Sequence, residues 1–228
     1  MKIGVFGGTF NPIHYGHLRA SEEVRERLGF KKILFIPSKS PPLKEKNLAN
    51  PAHRFEMSRI AISGNRFFEL SDIEFRMKGK SYSVKTLEEL KKTEAGADIF
   101  FILGIDSFLD IPHWWHPERL LGLTNFVIIS RPGFKFIDLR SAHHIKIEEK
   151  ILKKIDNADI PYYCANIGSN RYAILLRVTD MDISSTEIRK LIRQGKSINY
   201  LLPPKVKSYI ILHRLYYPED KRHTCEMV

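Results

Sequence analysis

The most informative stretch of the chain lies near its beginning, where residues 7–18 read Gly-Gly-Thr-Phe-Asn-Pro-Ile-His-Tyr-Gly-His-Leu. It follows the apolar run Ile3–Phe6, which predicts a strand that ends in glycines and a polar loop. His14 and His17 are three residues apart at the start of a helical pattern, so they share one helix face. Unpaired N–H groups and the positive end of the helix dipole attract anions at such a point. The stretch therefore predicts a site for a nucleoside triphosphate.

The composition limits the class of protein. The 228 residues are 43% apolar, enough for one substantial core, and we expect a single domain over residues 1–228. The first apolar run breaks at Gly7 and is not a signal peptide, and no run reaches the ~20 residues of a membrane span. Because Cys164 and Cys225 are the only cysteines, we expect a reducing, cytoplasmic setting. Because no run is long enough to span a membrane, we expect no membrane partner.

The net charge of +11 has two interpretations. It comes from 37 Lys and Arg against 26 Asp and Glu, and a lysine-rich solvated surface explains it as well as attraction for a polyanionic substrate does. The chain has no RNP aromatic box, zinc-finger spacing or heptad-linked basic region. We therefore expect no nucleic-acid partner, and the sequence leaves the oligomeric state open, with a homo-oligomer as one alternative.

Apolar, β-branched runs alternate with helical patterns along the chain. The predicted strands are Ile3–Phe6, Ile33–Ile36, Phe67–Phe75, Ile99–Leu103, Phe126–Ile129 and Tyr172–Val178. The predicted helices are Leu18–Leu28 closed by Gly29, Pro51–Ser63 with Asn50 as N-cap, Val84–Lys92, Pro117–Leu121, Ser184–Gly195 and Pro203–Leu215. This alternation predicts an α/β fold, a doubly wound and mainly parallel sheet with helices on both faces. Ligands of such sheets bind beyond the carboxyl ends of the strands.

A second polar stretch reads Asp-Ile-Ser-Ser-Thr-Glu-Ile-Arg at residues 182–189. Ser184 and Glu187 have the spacing of a capping box, which by itself indicates only a well-capped helix. The three successive hydroxyls also form a polar nest at a helix start, and Arg189 carries the planar fork that binds phosphate oxygens. A phosphate site is therefore the second interpretation.

Together the two stretches resemble the signatures of the nucleotidyltransferase superfamily. Pro12 to His17 is similar to the Pro-x-His-x-Gly-His form of the bacterial nicotinate-nucleotide adenylyltransferases, and residues 183–189 resemble their Ile-Ser-Ser-Thr-x-Ile-Arg motif. The resemblance implies a Rossmann-like nucleotidyltransferase fold. It implies transfer of AMP from ATP to nicotinate mononucleotide, which yields nicotinate adenine dinucleotide (deamido-NAD) and pyrophosphate in NAD biosynthesis. It also implies Mg²⁺ bound with ATP, mostly through water, and no protein metal ligand.

Further stretches extend the resemblance. Gly104 and Asp106 are similar to the family's Gly-x-Asp, whose aspartate contacts ribose, and the following Trp114 corresponds by alignment to the indole that stacks on the pyridine ring. By itself the tryptophan pair indicates helix packing equally well. Tyr82 and the residue after it resemble Ser-Tyr-Thr, whose backbone N–H groups hold the nicotinate carboxylate, and Lys85 stands where the family commonly has an acid.

Two loops complete the resemblance. Pro-Pro-Leu-Lys at residues 41–44 resembles Pro-Pro-His-Lys/Arg, with Leu43 as a departure and Lys44 as a candidate for the mononucleotide phosphate. Arg131 begins an Arg-Pro-Gly tripeptide that the family also carries.

The resemblance assigns roles by residue. Catalytic candidates are His14, His17, Lys44 and Arg189. Candidates for binding ATP are Gly7, Gly8, Thr9, Phe10, His14, His17, Gly104, Asp106, Ser184, Ser185, Thr186 and Arg189. Candidates for binding nicotinate mononucleotide are Lys44, Tyr82, Ser83, Asp106, Trp114 and Arg131.

Alternatives stay open at this point. The acceptor is nicotinamide mononucleotide or pantetheine phosphate in related enzymes, and a non-catalytic nucleotide- or RNA-binding protein is the alternative from another class. Residues 134–179 match no family segment, and their His143-His144 pair is interpreted as surface histidines. The tail from Tyr217 is polar.

Overall fold

The computed structural model describes residues 1–42 and 48–218, which form a seven-stranded sheet in the order β3-β2-β1-β4-β5-β7-β6. Neighbouring strands are parallel except β6 and β7, which are antiparallel. The strands are β1 (Lys2–Gly8), β2 (Lys32–Pro37), β3 (Phe68–Leu70), β4 (Asp98–Gly104), β5 (Asn125–Ile129), β6 (Tyr162–Gly168) and β7 (Arg171–Leu176).

Helices cover both faces of this sheet, as the alternating pattern predicts. Within the described ranges they are α1 (Tyr15–Leu28), α2 (Pro51–Ile62), α3 (Ile73–Arg76), α4 (Ser83–Thr93), α5 (Ile105–Leu109), α6 (Pro117–Leu123), α7 (Glu149–Asp156), α8 (Ser185–Arg193) and α9 (Pro204–Leu212). Helices α1, α2, α8 and α9 share one apolar core, and α3 to α7 share the other. None of these helices is long and apolar enough to cross a membrane.

Strand β1 shows why the sheet has two cores. Ile3 and Val5 enter the core under α4 to α7, whereas Phe6 enters the core under α1, α2, α8 and α9. Successive side chains of a strand point to opposite faces, so a strand buried on both sides reads as a continuous apolar run. The run Ile3–Phe6 is therefore a central strand, and the doubly wound fold is confirmed.

The order of the strands places a crevice next to the first loop. β1 lies between β2 and β4, so the chain leaves β1 in one direction along the sheet and later resumes on its other side. Gly8 ends β1 and Gly104 ends β4. Ligands of doubly wound sheets bind at such a switch point, outside the carboxyl ends of the strands.

One predicted strand was wrong in its second half. Pairing of β3 with β2 ends at Leu70 opposite Phe35, and α3 follows in place of the predicted continuation to Phe75. β2 ends at Pro37, two residues beyond Phe35, so a strand continued to Phe75 would have no neighbour to bond over its last three residues. The backbone instead closes a helical turn, in which the N–H groups of Phe75 and Arg76 donate to the carbonyl of Asp72.

The segment 134–179, which matches no family motif and in which only the strand Tyr172–Val178 was predicted, extends the sheet at one edge. It contains a 3₁₀-helix over Phe136–Ser141, α7, and the antiparallel pair of β6 and β7. Ser169 and Asn170 link the pair with φ of 49° and 55°, the left-handed geometry of a tight hairpin turn. His144 contradicts the prediction of surface histidines, because its ring is half-buried against Phe108 and its Nε2 lies 3.2 Å from that residue's carbonyl oxygen.

The predicted polar tail lies mostly outside the described residues. Tyr217 itself packs partly buried against the core under α9, and residues 219–228 are not described.

Gly29 offers a test of how α1 ends. Its φ is 63°, and the chain closes with the N–H of Phe30 donating to the carbonyl of Arg25. Because a Cβ is disfavoured in this left-handed geometry, we expect Gly29→Ala to lower the free energy of unfolding by about 1–2 kcal/mol. Gly64→Ala is the control, since Gly64 has no positive φ and no atom within 4 Å of an added Cβ. Equal denaturant midpoints for the two variants would contradict this cap.

Candidate functional site

The two imidazoles meet at the amino end of α1, as the sequence predicts. His14 is the N-cap residue, and its ring centroid lies 3.7 Å from that of His17. The backbone N–H of His14 donates to Nδ1 of His17 over 3.2 Å. Because Nδ1 accepts this bond, neutral His17 carries its proton on Nε2. The second imidazole therefore presents an Nε2–H donor.

Small and aromatic neighbours shape this end of the helix. A Cβ on Gly16 would lie 3.1 Å from Nδ1 of His14, so glycine between the two histidines leaves room for the ring. Phe10 packs edge-on to the ring of His17 at 5.2 Å, and its own side chain is buried. Phe10 has a φ of 44°, which turns the chain sharply after Gly8.

Burial keeps both imidazoles uncharged. It lowers the pKa of His14 from 6.5 to about 3, with a smaller contribution from the charge of Arg131. Burial also lowers the pKa of His17 well below 6.5, and the neighbouring His14 and Arg131 add to that shift. At neutral pH the pair therefore acts on an anion through N–H groups rather than through positive charge.

The backbone of α1 differs from the predicted row of unpaired donors. The N–H of Tyr15 donates to the carbonyl of Leu201 over 3.1 Å, and the N–H of His17 donates to the carbonyl of His14. The first turn is therefore tied to the segment before α9, and the imidazoles provide more of the site than the helix end does.

The serine- and threonine-rich stretch docks α8 on the first loop. Ser184 caps α8 by accepting from the N–H of Glu187, but the side chain of Glu187 lies with Lys190, so the predicted capping box is half formed. The hydroxyl of Ser185 donates to the carbonyl of Pro12 over 2.8 Å. These contacts bring together two motifs that are far apart along the chain.

Arg189 reinforces this docking. Its Nη1 donates to the carbonyl of Asn11 over 2.8 Å and its Nη2 to Oγ1 of Thr186 over 3.3 Å. The side chain is half-buried, not directed only to solvent, and burial lowers its pKa. Both partners are neutral, so the positive charge is not cancelled by a carboxylate.

The Gly-x-Asp stretch lies at the end of β4, across the switch point. An ion pair joins Arg131 Nη1 to Asp106 Oδ2 at 3.1 Å. A Cβ on Gly104 would lie 2.5 Å from Oδ1 of Asp106, so only glycine lets the carboxylate fold back over the strand end. Arg131, predicted for the mononucleotide, is thus close enough to the histidines to influence their pKa values.

The predicted carboxylate-binding turn begins α4. Tyr82 is the N-cap residue and Ser83 the first helical residue. The ring of Tyr82 stacks on Trp115 at 4.7 Å, and the ammonium of Lys85 lies 4.9 Å from the Trp115 ring centroid. Trp114 is half-buried, and its Nε1–H donates to Asp110. The sequence did not indicate that Trp115, rather than Trp114, would contact Tyr82.

The other predicted residues fall on or beside the same crevice, with one exception. Gly7 and Gly8 are the last residues of β1, and a Cβ on either would meet a phenylalanine ring. The carbonyl of Thr9 is bonded to Arg54. Lys44 lies outside the described residues.

Among the buried charged residues that were not predicted from the sequence, two have side chains bonded to the loop after β2. Arg54 is 0% exposed in α2, and Glu74 in α3 is 7% exposed. A signal was present for Arg54, because it shares a helical stripe with the buried Met57 and Ser58. A charge on an apolar stripe indicates a buried polar contact.

The pKa of His14 makes stability depend on pH. Between about pH 3 and pH 6.5 the unfolded chain binds a proton that the folded chain does not, so the free energy of unfolding falls as the pH falls. We expect the contribution of His14 to approach about 1.4 kcal/mol per pH unit. The free energy of unfolding, measured with denaturant between about pH 4 and 6, should depend less steeply on pH for His14→Gln than for the native chain.

His143→Gln is the matched control for this measurement. His143 is exposed in the folded chain, so we expect its replacement to leave the slope unchanged. Identical slopes for His14→Gln and the native chain would contradict the burial of a neutral imidazole.

Arg189 and Ser184 allow docking to be separated from capping. Ser184→Ala should lower the free energy of unfolding by about 0.5–2 kcal/mol, because it removes an N-cap. Arg189→Ala should also destabilise the chain, since the carbonyl of Asn11 loses a charged donor, and in addition it should weaken ATP binding. Arg193→Ala, an exposed site one turn further along α8, should change neither. Thermal melts and ATP titrations distinguish these outcomes, and unaltered ATP affinity in Arg189→Ala would make Arg189 purely structural.

Comparisons with known proteins identify the family of the chain. The family model described as cytidylyltransferase-like matches residues 5–191. The chain is 44% identical over 219 residues to a protein of Geotalea daltonii named probable nicotinate-nucleotide adenylyltransferase, with 95% of this chain and 98% of that protein covered. A protein of the same name from Syntrophotalea carbinolica is 43% identical over 222 residues, which cover 97% of this chain and 100% of that one.

Solved structures show the same relationship. The chain is similar to the Plasmodium falciparum nicotinic acid mononucleotide adenylyltransferase complexed with NaAD, with a TM-score of 0.70, 25% identity, and coverage of 94% of this chain and 97% of the other. With the matched motifs brought to one crevice at the switch point of a doubly wound sheet, these likenesses establish that the chain belongs to the nicotinate-nucleotide adenylyltransferase family within the cytidylyltransferase-like nucleotidyltransferases.

Proposed function

We propose that the protein transfers AMP from ATP to nicotinate mononucleotide, with nicotinate adenine dinucleotide and pyrophosphate as products. The observation that carries the site assignment is a set of buried polar atoms without partners. Among the described residues five such side-chain atoms occur, and three belong to predicted ATP-binding residues: Nδ1 of His14, Oδ1 of Asp106 and Nε of Arg189. Buried polar atoms are rarely left unpaired, so their grouping indicates a place where a polar ligand binds.

The chemistry needs positioning more than proton transfer. An oxygen of the mononucleotide phosphate, already anionic at neutral pH, attacks the α-phosphorus of ATP. The bond from the α-phosphorus to the oxygen that bridges to the β-phosphorus breaks, and that oxygen leaves with pyrophosphate. No proton has to be removed and no covalent enzyme intermediate is needed. The protein contributes alignment of the two phosphates and donors for the negative charge that builds up between them.

The imidazole pair is suited to the reacting phosphate. His17 presents an Nε2–H donor whose tautomer is held by the bond from the His14 backbone. A neutral, preorganised donor in a site shielded from water stabilises developing charge without reorganising. Arg189 would hold the departing pyrophosphate, since its guanidinium has only neutral partners in the protein.

The acceptor is proposed to lie along the carboxyl ends of β4 and β5. Backbone N–H groups at Tyr82 and Ser83 would bind the nicotinate carboxylate, Asp106 the ribose, and Trp114 the pyridine ring. Lys44 and Arg131 would hold the mononucleotide phosphate. Lys85 supports the preference for a carboxylate, because its ammonium lies over the rings of Tyr82 and Trp115 beside the same helix end.

Mg²⁺ fits this donor set as a companion of ATP. Within residues 1–42 and 48–218 no group of three or more His, Cys, Asp or Glu side chains is placed to hold a metal. Imidazoles, hydroxyls and a single carboxylate suit an ion that takes phosphate oxygens and water as ligands. Bound there, Mg²⁺ supplies neutralisation of phosphate charge, and Arg189 with the hydroxyls at the start of α8 would hold the phosphates that carry it.

The proposal also includes the cellular compartment of the enzyme, which we take to be the cytoplasm. Cys164 carries a free, exposed thiol, which suits the reducing cytoplasm. A homo-oligomer stays one alternative for its assembly.

The acceptor is tested by measuring pyrophosphate release with ATP and nicotinate mononucleotide, nicotinamide mononucleotide or pantetheine phosphate. We expect kcat/KM to favour nicotinate over nicotinamide mononucleotide by about 10- to 100-fold, because charge-assisted hydrogen bonds to a carboxylate are lost with an amide. His17→Ala should lower kcat about 10²- to 10³-fold with either pyridine acceptor and leave their ratio unchanged. Equal kcat/KM for the two pyridine acceptors would overturn the proposed specificity.

A further inference from the structure

A chain of hydrogen bonds runs under the crevice from the ATP loop to α4. It begins at Arg54, whose side chain is fully buried and donates to three backbone carbonyls among the described residues. Nη1 donates to Thr9 over 2.7 Å, Nη2 to Lys39 over 3.2 Å, and Nε to Ala49 over 3.1 Å. One side chain thus joins the loop after β1, the loop after β2 and the segment entering α2.

Glu74 continues this chain on the other side of Lys39. One carboxylate oxygen accepts from the N–H of Lys39 over 3.1 Å, and the other accepts from the hydroxyl of Thr86 over 2.8 Å. Burial raises the pKa of Glu74, while the hydroxyls of Ser81 and Thr86, the N–H of Lys39 and the charge of Arg54 oppose that shift. The backbone carbonyl of Lys39 therefore accepts from Arg54, and its backbone N–H donates to Glu74.

The next residue strengthens the same connection. The N–H of Ser40 donates to Oγ of Ser81 over 2.9 Å, and the N–H of Ser81 donates to the carbonyl of Ser40 over 2.9 Å. Ser81 directly precedes Tyr82, the N-cap of α4. The loop after β2 is thus attached to the start of α4 by two independent sets of bonds.

A contribution to stability does not by itself explain why Arg54 and Glu74 are buried under the crevice. Well-packed apolar residues usually stabilise a protein as well as a buried ion pair does, whereas polar groups with directional bonds hold backbone segments in one arrangement. Here the segments are those that flank the two proposed substrate sites, the ATP loop at Thr9 and the acceptor helix at Tyr82 and Ser83.

We propose that Arg54, Glu74 and Thr86 are positioning residues that set the distance and angle between the ATP loop and the acceptor-binding end of α4. The inference rests on the proposed function, because it assumes that the acceptor binds at that end. The connection acts through Lys39 and contacts neither substrate. Its contribution is to alignment of the attacking phosphate with the α-phosphorus, where small displacements reduce the rate strongly.

Two threonines provide a matched test. Thr86 is 4% exposed and Thr124 is 2% exposed. Each hydroxyl has an acceptor at 2.8 Å, the Glu74 carboxylate for Thr86 and the Ile99 carbonyl for Thr124, and each has a backbone carbonyl at 3.2 Å as a further acceptor. The hydroxyl of Thr124 donates to the carbonyl of Ile99 at the amino end of β4, whereas the proposed site lies at the carboxyl ends of the strands. Thr86→Val and Thr124→Val are therefore the same substitution in equal burial, and we expect similar decreases in Tm.

Their kinetics should differ. With ATP and nicotinate mononucleotide both saturating, we expect Thr86→Val and Glu74→Leu to lower kcat by about 10- to 100-fold, and Thr124→Val to stay within about twofold of the native enzyme. The KM for ATP should change much less than kcat, since the imidazoles and Arg189 are untouched. Thr86→Ser should recover most of the rate because it restores the hydroxyl. The double variant Thr86→Val with Glu74→Leu should lose little more than either single variant.

The outcomes separate this inference from the proposed function. If the native enzyme forms no dinucleotide from nicotinate mononucleotide, the proposed function fails. If the native enzyme is active but Thr86→Val and Thr124→Val lose equal rate for equal loss of Tm, the positioning role is wrong. If Thr86→Val does not fold, Thr86→Ala and Glu74→Leu carry the comparison, and native kcat in either of them overturns the inference.

Discussion

The hydrogen bond from the backbone of His14 to Nδ1 of His17 is the constraint on which the site depends. It places the second imidazole in one tautomer and holds the two rings 3.7 Å apart at the start of α1. Burial is the main reason that neither ring is charged, and for His17 the neighbouring His14 ring adds to the effect. The fold therefore presents an N–H donor where the reaction needs one, at the end of the central strand β1.

The positive charge around this donor is arranged so that it stays available. Arg54 bonds three carbonyls and Arg189 bonds a carbonyl and a hydroxyl, so neither cation is paired with a carboxylate at hydrogen-bond distance among the contacts described here. Arg131 is paired with Asp106, but it is more than half exposed. Because Arg189 is held by neutral acceptors, it keeps its field, which favours a triphosphate nearby. The charge of Arg131 adds to burial in limiting protonation of the imidazoles. The charge of the whole chain is a weaker guide than this local arrangement.

The docking of α8 explains why a nucleotide site requires residues from both ends of the chain. Ser185 bonds Pro12 and Arg189 bonds Asn11, so the serine-rich stretch closes one side of the loop that carries the histidines. These polar groups bond the loop itself, which holds it in one arrangement. Preorganisation of this kind lowers the entropy lost when the phosphates bind.

Local sequence was sufficient for the framework and for naming the two motifs that the fold brings together at the start of α1 and α8. Apolar runs and their alternation predicted the doubly wound sheet, since period and burial are local properties of a strand. The spacing of His14 and His17 and the hydroxyls before Arg189 predicted the two motifs, because side chains on one helical turn share a face. The hairpin of β6 and β7 carried a turn signal that the sequence reading did not use.

Only the tertiary structure decided which distant groups meet. The stacking of Tyr82 on Trp115, the docking of Ser185 on Pro12 and the burial of Arg54 between three loops all join residues far apart in the chain. Such contacts depend on the order of strands in the sheet and on the paths of the loops, which no short window of residues encodes. The sequence by itself determined what chemistry the chain can perform, and the fold decided how the two substrate sites are held relative to each other.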